Sequence, residues 1–61
     1  MRILGLDIGS TSIKAVEVDT AFGRFEIHEY HEVRVNPGES AIAVAGGLIK
    51  SLPRSPDRVI V

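Results

Sequence analysis

The hydrophobic period of this chain switches once, and that switch sets its class. Up to Val35 the apolar residues come in strand-like runs: Ile3 to Ile8, Ile13 to Val18 and Phe25 to Val35. From Ser40 to Leu52 they recur at helical spacing, as Ala41, Val44, Ala45, Leu48, Ile49 and Leu52. Arg58-Val59-Ile60-Val61 is strand-like again. The expected order is β-β-β-α-β: an α/β chain whose first three strands pair as an antiparallel meander. The helix is then the crossover that returns the fourth strand parallel to the first, giving a mixed sheet with one crossover helix.

The elements carry their own expectations. Ile3 to Ile8 is almost wholly apolar, as in a central strand buried on both faces. Thr20-Ala21-Phe22-Gly23-Arg24 reads as a five-residue hairpin loop, with Gly23 free to take a positive φ. Along Phe25 to Val35, strict alternation puts Phe25, Ile27, Val33 and Val35 on one face. Glu26, His28, Tyr30, Glu32 and Arg34 then share the other, as in a half-exposed strand near a sheet edge. Asn36-Pro37-Gly38-Glu39 predicts the helix start, with Asn36 as N-cap, Pro37 at N1 and Glu39 closing a capping box. Pro53 stops the helix. Gly46-Gly47 inside it is expected to mark close packing against the sheet.

Composition narrows the function classes. With 61 residues and no cysteine, the chain has a marginal core and no disulfide or thiolate-metal staple. A formal net charge of −1, with acids and bases interspersed, argues against an electrostatic nucleic-acid surface, which would show clustered basic charge. No apolar run approaches the roughly 20 residues of a membrane span. Met1-Arg2-Ile3 leads straight into a strand, so no signal peptide is expected and a cytoplasmic location is the default. Residues 1–61 are expected to be an incomplete N-terminal subdomain, because Arg58 to Val61 reads as the first half of a buried strand. The uncovered apolar sheet face and that half-strand should then favour self-association.

The stretch Leu4-Gly5-Leu6-Asp7-Ile8-Gly9-Ser10-Thr11-Ser12-Ile13-Lys14 holds the only concentration of chemistry. It falls at the first hairpin, with Asp7 at the end of strand one and Lys14 on strand two. One reading is conformational, since Asp, Gly and Ser are common turn residues. The other is a phosphate site. Gly9 allows close backbone approach, the following amides can form an anion-binding nest, and Ser10, Thr11 and Ser12 add hydroxyl donors. Lys14 would supply a point charge for phosphate, and Asp7 would hold Mg²⁺ through water.

LDIGSTSIKAVEV resembles the first phosphate-binding segment of the actin, sugar-kinase and heat-shock-chaperone ATPase superfamily. Its ribonuclease-H-like fold also opens β-β-β-α-β. The resemblance implies that Asp7 faces Mg²⁺ and that the Gly9 to Ser12 turn holds the β- and γ-phosphates of ATP, with Lys14 beside them. The continuation Lys14-Ala15-Val16-Glu17-Val18 and the short connection through Asn36 to Glu39 look most like one bacterial group. These are the actin-like proteins of type IV pilus assembly (PilM-like) and the related type II secretion platform protein (general secretion pathway protein L). That resemblance implies partners among the cytoplasmic segments of inner-membrane platform proteins, and a place at the inner-membrane face. The alternative is a carbohydrate kinase passing the γ-phosphoryl group to a sugar. The superfamily's second phosphate segment and adenosine segment do not occur in these residues, so this chain alone is not expected to hydrolyse ATP.

The other candidates are weaker. His28 and His31 lie near Glu26, Glu29 and Glu32 but fall on opposite faces under strict alternation, which opposes a structural zinc site. Arg54 and Arg58 are read as solvated charges. Tyr30 is a lone surface aromatic.

Overall fold

A computed structural model describes all residues, Met1–Val61. Strands β1 (Arg2–Ile8), β2 (Ser12–Ala21) and β3 (Arg24–Arg34) are followed by helix α1 (Ala41–Ser51) and a short strand β4 (Arg58–Ile60). The four strands form one sheet in the order β3-β2-β1-β4. β1 pairs antiparallel with β2 and parallel with β4, while β2 pairs antiparallel with β3. The expected mixed α/β sheet with its single crossover helix is therefore the architecture of the chain.

α1 covers one face of this sheet. Alternate residues Leu4 and Leu6 of β1 and Ile13 and Ala15 of β2 point towards it, and Ala45 and Leu48 of α1 meet them together with Val35. Leu4 and Ile13 are fully buried. Only nine residues of the chain are buried at all, so the core is a single thin seam between helix and sheet. β1 is central in the hydrogen-bond ladder but buried on one face only. On the other face Ile3 and Gly5 are half-buried and Asp7 is exposed, which corrects the expectation of a strand buried on both sides. The reason is the lack of a second layer.

The helix begins later than the sequence implied. Its N-cap is Ser40, whose Oγ accepts from the Ala43 N–H at 3.3 Å. Asn36 to Glu39 instead forms a separate turn: Glu39 N–H donates to the Asn36 carbonyl at 3.0 Å, and Asn36 N–H donates to Glu39 Oε1 at 2.9 Å. Pro37 and Gly38 suit the two central positions of a type II turn, and Gly38 has φ +88°. The side-chain contact of a capping box is thus present, one turn away from the helix it was expected to cap. The hairpin loop is shorter than expected. Only Phe22 (φ 54°) and Gly23 (φ 74°) lie outside the strands, as in a two-residue type I′ turn.

Close packing does not explain Gly46-Gly47. A Cβ built on either glycine meets nothing within 4 Å. Ala45 and Leu48 face the sheet, which leaves the glycines beside the seam rather than in it.

β3 departs from strict alternation. Glu17 of β2 pairs with Glu29, but the next residue, Val18, pairs with Ile27, so His28 is an extra residue on β3. Such a bulge shifts the side-chain phase by one. Beyond it Phe25 and Ile27 lie on the open face with Tyr30, whereas His31 and Val33 lie on the helix face opposite Ala15 and Ile13. The expected common face of Phe25, Ile27, Val33 and Val35 is therefore split in two. β4 is anchored by a reciprocal pair: Asp57 N–H donates to the Arg2 carbonyl at 2.8 Å, and Arg2 N–H donates to Asp57 Oδ2 at 2.7 Å. Its residues are exposed, not buried as the sequence implied, because nothing packs on either side of that edge.

Candidate functional site

The β1–β2 hairpin brings the sequence-derived residues together. Asp7 and Lys14 are direct register partners, both exposed and both on the open face. Gly9 to Thr11 make the connection, and Ser12 starts β2. Gly9 N–H donates to the Ser12 carbonyl at 2.9 Å, and a Cβ on Gly9 would lie 2.9 Å from that same oxygen. The glycine is required by the chain's own approach to itself, which closes the turn tightly. Ser10 and Thr11 are exposed, and neither backbone N–H has a partner within the chain. The Thr11 carbonyl accepts from Val35 N–H at 2.9 Å, which fixes the turn against the end of β3.

That tie adds residues the sequence did not single out. Arg34 pairs with Ser12 and Glu32 with Lys14. The end of the open face thus carries a row of alternating charge, Glu32, Lys14 and Asp7, with Arg34 beside it, and none of the four joins an ion pair. A concavity of about 290 Å³ lies between Ser10, Thr11 and Arg34 on one side and the Asn36-Pro37-Gly38-Glu39 turn on the other. The signal for Arg34 and Glu32 was available in the register, since a meander places β3's last residues beside β2's first.

These residues fit ATP phosphates and Mg²⁺ in one specific way. No group of three or more His, Cys, Asp or Glu side chains could cage a metal. A magnesium held by Asp7 would therefore need waters and phosphate oxygens for its remaining positions, the usual arrangement for this ion. Two unpartnered amides, three hydroxyls and a lysine are suitable phosphate donors. Glu32 beside Lys14 weakens the positive potential there.

A second polar cluster, which sequence reasoning missed, lies on the helix face of the sheet at the opposite end of the β1–β2 pair. Arg2 and Glu17 are both buried, at 7% and 3% exposure. Arg2 donates from Nε and Nη2 to both oxygens of Asp19 at 2.7 and 2.9 Å, and from Nη1 to Glu17 Oε1 at 3.0 Å. Glu17 Oε2 lies 2.7 Å from His31 Nε2. An ionised carboxylate only accepts, so His31 donates from Nε2. His31 first, and then Arg2, hold the Glu17 carboxyl below its usual range against the opposing effect of burial. Arg2 likewise lowers Asp19, whose hydrogen bonds in turn hold the Arg2 guanidinium above its ordinary value. His31 is therefore a bonded member of this chain rather than part of a solvated polar strand. Every buried side-chain polar atom is satisfied. The arrangement is a structural lock across β1, β2 and β3, with no free group poised for chemistry.

No protein-family model matches the chain, and no curated protein or solved structure matches it. No helix is long and apolar enough to cross a membrane.

Proposed function

We propose that Asp7, Gly9, Ser10, Thr11, Ser12 and Lys14 form the first phosphate-binding segment of an actin-like nucleotide clamp with a ribonuclease-H-like fold. On this reading the chain belongs to an ATP-binding assembly protein of a type IV pilus or type II secretion platform. It acts at the cytoplasmic side of the inner membrane, with platform proteins as partners. The observation that carries the proposal is the cross-strand partnership of Asp7 and Lys14 beside a tight turn with two unpartnered amides.

The division of labour follows from charge. The Ser10 and Thr11 amides, with the hydroxyls of residues 10 to 12, would cradle phosphate oxygens, and Lys14 would neutralise them. Asp7, a carboxylate, would repel phosphate directly, so its role is to orient water on magnesium. With one segment of the clamp, binding is expected to be weak and turnover absent.

The test is an amide NMR titration with Mg-ATP. Shifts confined to Gly9 through Lys14, abolished by Asp7→Ala or by omitting magnesium, are the expected result. Shifts that persist unchanged in both Asp7→Ala and Lys14→Ala would sink the assignment.

A further inference from the structure

The sheet face opposite α1 is apolar over most of its area and nothing in the chain covers it. Because of the bulge, Phe25 and Ile27 add to it, at 73% and 69% exposure, beside Tyr30 at 57% and Ile60 at 55%. Val16 and Val18 lie between them, half-buried. These side chains leave roughly 600 Å² of mainly apolar surface in water, taking an aromatic side chain as about 200 Å². That is at the top of the range for the largest patch on a monomer.

We propose that this face is a self-recognition surface across which two copies of the chain pack sheet to sheet. The area supports a second copy as the occupant. Two such faces bury roughly 1,200 Å² together, at the lower limit of specific interfaces. The shape is self-complementary as well. Gly5 leaves a shallow, open hollow bordered by Val16, Tyr30 and Ile60 and, on its far side, by Asp7 and Lys14, while Phe25 and Ile27 are exposed towards the hairpin tip. A two-fold axis in the plane of the sheet sets each copy's projection over the other's hollow, the same contact made twice. Charge does not oppose it. Asp7 and Lys14 border the hollow as cross-strand neighbours of opposite sign and so bring no net charge into the contact, while Glu32 and Arg34 lie beyond them at the end of the face and Arg58 at its β4 edge. Sheets stack in this way at small or near-right angles, and each copy keeps its helix on the outside.

The experiment is sedimentation velocity on the full chain from low micromolar to millimolar concentration, with a dilution series of methyl NMR spectra. A monomer–dimer equilibrium is expected, with concentration-dependent shifts at Val16, Val18 and Ile27. Ile27→Lys and Phe25→Ser each should weaken the dimer by about tenfold or more, as for central apolar contacts. Ile42→Lys, at an exposed helix position away from the face, should leave it unchanged. Far-UV circular dichroism checks that each variant is folded. A monomer at millimolar concentration would overturn the proposal and leave the face to a different partner. A dimer indifferent to both face variants, with shifts along the outer edge of β3, would overturn it in favour of edge pairing.

Discussion

Glu17 accepts from His31 Nε2 at 2.7 Å while its other oxygen accepts from Arg2, so one buried carboxylate joins three strands. The pair spans β2 and β3 on the face that α1 otherwise fills with aliphatic residues. A carboxylate there is tolerable only while both oxygens are bonded.

His31→Ala should therefore destabilise the fold by about 1 to 3 kcal/mol, the usual result of stripping a partner from a buried polar group. His28→Ala, whose side chain is exposed, should change stability by less than about 0.5 kcal/mol. Urea denaturation of both variants checks the contrast. Equal effects would contradict the geometry.

The same cluster sets the acid limit. Glu17 and Asp19 are both held below their ordinary values in the folded chain. Their contribution is therefore complete above the unfolded carboxylate pKa of about 4 and is lost as pH falls through the lower folded values. The urea midpoint should decline as pH falls below that value. Glu17→Gln should reduce the steepness of that decline while lowering the midpoint at neutral pH.

Phe22 is wholly exposed and holds a left-handed backbone at φ 54°. It buries nothing and carries steric strain, so Phe22→Asn should stabilise the hairpin by about 0.5 to 1 kcal/mol, as Asn-Gly is favoured in this turn. Thermal unfolding provides the measurement, and a lower midpoint would show that the aromatic ring contributes something unseen.

Glycine substitutions should divide sharply by position. Gly46→Ala and Gly47→Ala meet open space and should each add about 0.5 to 1 kcal/mol through helix propensity. Gly9→Ala places a methyl 2.9 Å from the Ser12 carbonyl oxygen. It should destabilise by about 1 to 3 kcal/mol and distort the turn. Chemical denaturation reads all three, and a stabilising Gly9→Ala would remove the claim that this glycine closes the turn.

Much of the fold was legible because the period switch, the Gly9-Ser10-Thr11 turn and Pro53 are local signals. Strand order followed from connection length alone. The candidate phosphate residues were legible for the same reason, since all lie within eight positions of one hairpin. The bulge was not. His28-Glu29-Tyr30-His31-Glu32 contains no aliphatic residue, so the phase of alternation is undetermined across that stretch. The helix start was misplaced because Asn36 and Ser40 are both adequate N-caps, and Pro37-Gly38 decides for a turn only through Gly38's positive φ. The lock around Arg2 was written in opposite charges on β1 and β2, but only the hairpin register brings Arg2 opposite Asp19 and next to Glu17.

His28 works as a phase shifter in β3. The bulge it forms, not its chemistry, decides which surface the tip of the second hairpin displays. Drawing His28 back into a regular ladder would turn Phe25 and Ile27 towards the helix side and bring Arg24 and Glu26 outward, exchanging an adhesive surface for a charged one with no change in composition. Removing His28 altogether would leave Phe25 and Ile27 opposite the same β2 residues, so the outer character of this protein is held by how one residue is seated in the ladder rather than by what that residue is.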